Sequence, residues 1–106
     1  MIKNFEGNYA ITGQMNKEGE IIDFTGKGIL KKHGNYYEMN SKYSDDNKFT
    51  GFMILNKHDG YSAAHCKSKV GYINIKIIDD DNIKLTWSTV NEKDNFLING
   101  TEVWNK

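Results

Sequence analysis

The chain has no proline and no arginine among its 106 residues, a single cysteine, and no long hydrophobic run. All 14 of its cationic side chains are therefore lysine. A site that grips a carboxylate, a phosphate or a guanine edge in fork geometry normally uses arginine, whereas lysine offers a point charge. The lack of arginine counts against base readout and against a lumen that clamps a fatty acid carboxylate. The missing proline, like the abundant asparagine, carries no functional weight. Cys66 alone cannot form an internal disulfide or a multi-cysteine metal site. Beside Ala63, Ala64 and His65 it reads as a half-buried strand cysteine rather than a nucleophile. The stretch Met1 to Gly7 has no apolar run of the length a signal peptide needs, and no window approaches a membrane span. A cytoplasmic location is the expectation. With 14 lysines against 14 carboxylates there is no net field to draw the chain to nucleic acid or an anionic membrane.

What is present suits a folded domain. Hydrophobic residues make up 38% and aromatics 12%, enough to offset ordering entropy by burial. The length fits one domain spanning residues 1–106. Short stretches rich in β-branched and aromatic residues recur along the chain, at Gly7 to Met15, Ile21 to Lys32, Asn35 to Tyr43, Lys48 to Asn56, Tyr61 to Cys66, Val70 to Ile78, Asn82 to Val90 and Phe96 to Trp104. Turns of Gly, Asn, Asp and Lys separate them. No stretch shows helical spacing, and the connections are too short for parallel crossovers. The expected fold is all-β, an eight-stranded antiparallel up-and-down meander, either a closed barrel or a flattened barrel or sandwich. Closure is the route that removes both aggregating edges.

An internal repeat supports this scheme. Phe24 to His33 recurs 25 residues on as Phe49 to His58, with seven of ten positions identical. The period equals two strands and two turns, so a strand pair is used twice. Alternation places Phe24, Gly26, Gly28 and Leu30 on one face, matched by Phe49, Gly51, Met53 and Leu55. Glycines on one strand face suit bending or close backbone approach. Ile73, Ile75 and Ile77, then Ile83, Leu85 and Trp87, continue the apolar alternation.

The eight consecutive strands, the opening Gly7-x-Tyr9-x-Ile11-x-Gly13, the two Phe-Thr-Gly strands and the late Trp87 resemble the calycin group of barrels: avidins, lipocalins and fatty-acid-binding proteins. The resemblance spans the chain and implies a barrel whose lumen holds one small ligand or is filled by side chains. The lipocalin Gly-x-Trp opening is here Gly7-Asn8-Tyr9, the family arginine is missing, and no ligand carries over.

In a meander the turns alternate between the two ends. One end gathers His33, His58, Asp59 and Asp79 to Asp81, which are metal-ligand types but read as plain solvated turns, so no metal site is expected. The other end mixes Asp45, Asp46, Glu92 and Asp94 with lysines. His65 and Glu102 would make an acid and base in an apolar cavity if both faced inward. Placement of the last strand at a sheet edge instead predicts a solvent-exposed Glu102. No Ser-His-Asp order, phosphate-cradling loop, metal spacing or cofactor motif stands out, so no enzymatic role and no cofactor are expected.

Two functional readings follow. The first is a non-catalytic protein-binding module, an inhibitor or immunity-type protein that caps a cationic toxin or enzyme through Asp45, Asp46, Asp79, Asp80, Asp81, Glu92 and Asp94. Its profile resembles the cognate immunity proteins of bacterial toxin systems in composition alone. The alternative is a calycin-like carrier of a small apolar ligand, drawing on Tyr9, His65, Trp87 and Glu102. The apolar side chains competing for the interior predict a crowded lumen and favour the first reading. A connected void of roughly 300 Å³ or more would reverse that order, since ligand pockets start near that size. The chain is expected to be a monomer, or a weak homodimer if its first and last strands leave an open edge.

Overall fold

Strict alternation of apolar and polar residues, broken every dozen residues by turn formers, leaves the backbone one economical solution: antiparallel strands with a single inward face. A computed structural model describes residues 4–55, 60–65, 69–91 and 96–106. Its strands are β1 (Gly7–Lys17), β2 (Glu20–His33), β3 (Tyr36–Tyr43), β4 (Lys48–Leu55), β5 (Gly60–His65), β6 (Lys69–Asp79), β7 (Asn82–Asn91) and β8 (Phe96–Asn105). Consecutive strands pair antiparallel throughout, and there is no helix among the described residues. The antiparallel, all-β meander expected from the sequence is the architecture observed. Accordingly, no described helix is long and apolar enough to cross a membrane.

The last strand is not an edge. β8 pairs with β7 on one side and with β1 on the other. Glu102 lies opposite Leu85 on β7 and Gly13 on β1. Glu102 is 3% exposed, which corrects the expectation of solvent exposure: with strands on both flanks it faces the interior, where Tyr43 and Trp104 bond its carboxyl.

Turn chemistry works as the composition suggests. Asn16 Oδ1 accepts from Gly19 N at 2.9 Å at the β1–β2 turn. Asp45 Oδ1 accepts from Asn47 N, and Asp46 carries the positive φ of 67°. Asp79 Oδ1 accepts from Asp81 N and from the Asn82 amide. These acidic turn residues thus cap their own backbone.

The repeat places its two copies on either side of β3. β2 brings Gly26 opposite Tyr43 and β4 brings Phe49 opposite Ser41, and both Phe24 and Phe49 pack inward against the core. Part of the second copy, His58 and Asp59 included, lies outside the described residues, as do Cys66, Glu92 and Asp94.

The inward glycines answer a packing need. A Cβ at Gly28 would collide with the Trp104 ring, and one at Gly100 would stand 2.6 Å from Cζ2 of Trp87. Gly100 leaves room for the Trp87 indole directly opposite it on β7, and Gly28 leaves room for the Trp104 indole reaching across β1. Close approach, rather than bending, is what these two positions provide.

The core is distributed unevenly along the sheet. Near the start of the chain, Tyr9, Ile11, Leu30, Tyr37, Met53 and Trp104 are almost fully buried. Phe5 seals that end: its backbone N–H bonds Tyr37 Oη at 3.3 Å, and the Tyr9 hydroxyl donates to its carbonyl at 2.5 Å. Burial, then the neighbouring Tyr37 and Asp81, push the Tyr9 phenol up to about 12. Lys106 completes the seal by donating its backbone N–H to the Asp81 carbonyl at 2.7 Å and resting its ammonium 5.9 Å from the Tyr9 ring centre.

Candidate ligand cavity

Toward the opposite end the sheet interior is hollow. A cavity of about 430 Å³ runs inward from the end where β1 meets β2 and β3 meets β4. Its walls come from inward positions of the strands: Met15, Ile22, Phe24, Phe49, Ile73, Leu85, Trp87 and Ile98. Lys17, Asp45, Asn47 and Lys48, at or between strand ends, stand at its mouth. The crowded lumen expected from the sequence is therefore corrected. Leu30, Met39, Met53 and Ile75 fill the closed half, while in the open half Phe24, Phe49 and Trp87 are only partly buried and line the void.

The floor of the cavity is polar. Glu102 Oε2 accepts from the Trp104 indole Nε1 at 2.7 Å and from the Tyr43 hydroxyl at 2.9 Å. Oε1 receives the longer arm of the same hydroxyl at 3.2 Å. Ser41 donates its hydroxyl to Tyr43 Oη at 3.2 Å. Burial raises the Glu102 carboxyl above its ordinary value, and hydrogen bonding from Trp104 and Tyr43 only partly opposes this. Burial and the adjacent carboxylate push the Tyr43 phenol well above its usual range, so it remains a donor. The Trp87 indole lies near enough to Glu102 to favour the ionised carboxylate, yet its buried Nε1 makes no hydrogen bond of normal geometry. A buried donor without an acceptor is a costly feature in a folded chain.

Of the ligand-contact candidates read from the sequence, Trp87 and Glu102 come together on adjacent strands in the cavity wall and floor. Tyr9 does not line the cavity; it is part of the closed end, 5.8 Å from the Trp104 ring centre. The His65 backbone pairs with Thr50, and its side chain lies outside the described residues. The sequence reading missed Ser41, Tyr43 and Trp104. Trp104 had a usable signal, since it lies two residues from Glu102 on one strand face. Tyr43 had none, being 59 residues away in the chain.

The acidic turn residues do not form one cluster. Asp45 and Asp46 are at the open end and Asp79, Asp80 and Asp81 at the closed end. His33 bonds Glu38 at 3.1 Å and stacks on Tyr36. The Asn40 hydrogen bond, then that from His33, holds the Glu38 carboxyl below its usual value. No group of three or more potential metal ligands occurs among the described residues.

No protein-family model matches the chain, and no curated protein does. A solved structure of EF1p2_mFAP2b bound to DFHBI is similar, with a TM-score of 0.65 over 96% of this chain and 93% of that one at 12% identity. At that identity the likeness shows the fold. The resemblance to calycin-type barrels stands as an architectural one.

Proposed function

We propose that the chain acts as a closed eight-stranded barrel that binds and carries a small, largely apolar ligand in its open half. The observation that supports this most is the 430 Å³ cavity with apolar walls and a convergent polar floor, which is the usual form of a small-molecule site. It also exceeds the roughly 300 Å³ at which the carrier reading overtakes the capping one. The structural neighbour with bound DFHBI points the same way. No comparable observation favours the inhibitor reading: Asp45 and Asp79, which it would use against a cationic partner, cap their own turns.

The test is calorimetric titration with a neutral apolar probe, ethylnaphthalene. Saturable one-to-one binding is expected for the native chain. Met15→Trp, which places an indole in the cavity beside the mouth, should weaken binding at least tenfold without lowering thermal stability. Absence of saturable binding to the native chain would remove the carrier reading.

A further inference from the structure

The cavity is chemically lopsided in a way that selects among ligands. Its floor presents one carboxyl group, Glu102, and no cationic side chain lies beside it among the described residues; Lys17 and Lys48 stand only at the strand ends. An anionic headgroup carried to the floor would face that carboxyl in a medium of low polarity, where like charges repel strongly. A bare hydrocarbon would leave acceptor capacity unfilled. A carboxylate can accept at about four sites; among the described residues its hydrogen bonds come from Trp104 and Tyr43, with the Trp87 indole nearby. Around it stand three aromatic rings, with Phe24 centred 5.5 Å from Tyr43 and 6.4 Å from Trp87. Aromatic faces attract a cation, and more strongly where water is excluded.

We propose that the ligand class is a small, mostly apolar organic amine, whose ammonium donates to Glu102 at the cavity floor while its hydrocarbon body lies against Phe24 and Trp87. The proposal rests on the carrier reading and names its ligand chemistry. It makes Glu102 the specificity-determining residue: a charge-assisted bond to a carboxylate is roughly twice as strong as a neutral one. Residence of the cation would also relieve the carboxyl of its uncompensated burial.

The experiment compares three probes of one skeleton, ethylnaphthalene, naphthylmethylamine and naphthoate, by calorimetry on the native chain and on Glu102→Gln at neutral pH. The amine is expected to bind the native chain at least tenfold more tightly than either other probe. Glu102→Gln should abolish that preference and leave ethylnaphthalene binding in place, which also shows that the variant is folded. Should the variant lose the hydrocarbon too, the native chain decides through the N-acetylated amine, which keeps the skeleton and loses the charge. It should bind at least tenfold more weakly than the amine. A naphthoate or hydrocarbon affinity equal to the amine's, an acetylated probe as tight as the amine, or a preference that survives in folded Glu102→Gln overturns the amine assignment while the carrier reading stands. Failure of all three probes on the native chain removes both.

Discussion

The two ends of this sheet are built from the same alternating pattern and come out differently. At the end that holds Phe5 and Lys106, the inward side chains interlock and exclude solvent, with Trp104 and Met53 both 0% exposed. At the other end the inward residues are as apolar, yet they enclose about 430 Å³. The difference lies in how the large rings are seated. Trp104 lies over Gly28 in the middle of the sheet and Tyr9 packs against it. Trp87 lies against Gly100, and its ring partner Phe24, centred 6.4 Å away, is like Trp87 itself only partly buried. Alternation sets which residues face inward; the halves differ in how completely those residues cover one another, Tyr9 and Trp104 being buried and Phe24 and Trp87 only partly so. The Glu102 network stands at the boundary, taking Trp104 from the filled half and Tyr43 from the hollow one.

The contrast can be broken most severely at Trp104. Trp104→Ala removes a fully buried indole and one of the donors to Glu102, and should cost about 3–5 kcal/mol by urea denaturation. Gly28→Ala drives a methyl into the same ring and should cost about 1–3 kcal/mol. On the hollow side Phe49→Ala enlarges an existing void rather than making one, so a smaller loss of about 1–2 kcal/mol is expected. A Phe49 loss equal to that at Trp104 would mean the open half is packed as tightly as the closed one.

The boundary residue gives a pH signature. Because burial raises the Glu102 carboxyl in the folded state, the folded chain binds this proton more tightly than the unfolded chain does. Its stabilising contribution is full below the ordinary value of 4.5 and is lost as pH rises through the raised folded value. The slope cannot exceed about 1.4 kcal/mol per pH unit for one proton. Denaturation midpoints measured across acid to neutral pH should show this decline, and Glu102→Gln should flatten it. The smallest effect is expected at the closed-end turn. Asp79→Ala removes the caps on Asp81 and Asn82 at a cost of about 0.5–1 kcal/mol, with ligand affinity unchanged by calorimetry.

Much of the fold was legible in the sequence because strand periodicity is local. Ile73 and Ile75, then Ile83 and Leu85, face inward as their alternation indicates, and the Phe24 and Phe49 repeat marks equivalent strands around β3. The exposure of Glu102 was misjudged because its neighbours across the β1–β8 ladder, Gly13 above all, are nearly 90 residues away. The cavity was illegible for a related reason. Counting inward apolar residues gives their volume but not their positions along the axis, and Leu30, Met39 and Met53 all crowd into one half. Trp87 and Glu102 were nameable as candidates from their strand positions. Their convergence with Tyr43, which sits on a strand remote in the chain, required the folded sheet.

The most direct test of a filled half joined to a ligand-binding half is nuclear magnetic resonance mapping during titration with ethylnaphthalene. Saturable shifts should gather at Phe24, Trp87, Ile98 and Glu102, while Tyr9, Ile11 and Tyr37 at the sealed end stay unmoved. Shifts centred on the sealed end, or spread over the outer face without saturation, would contradict the account.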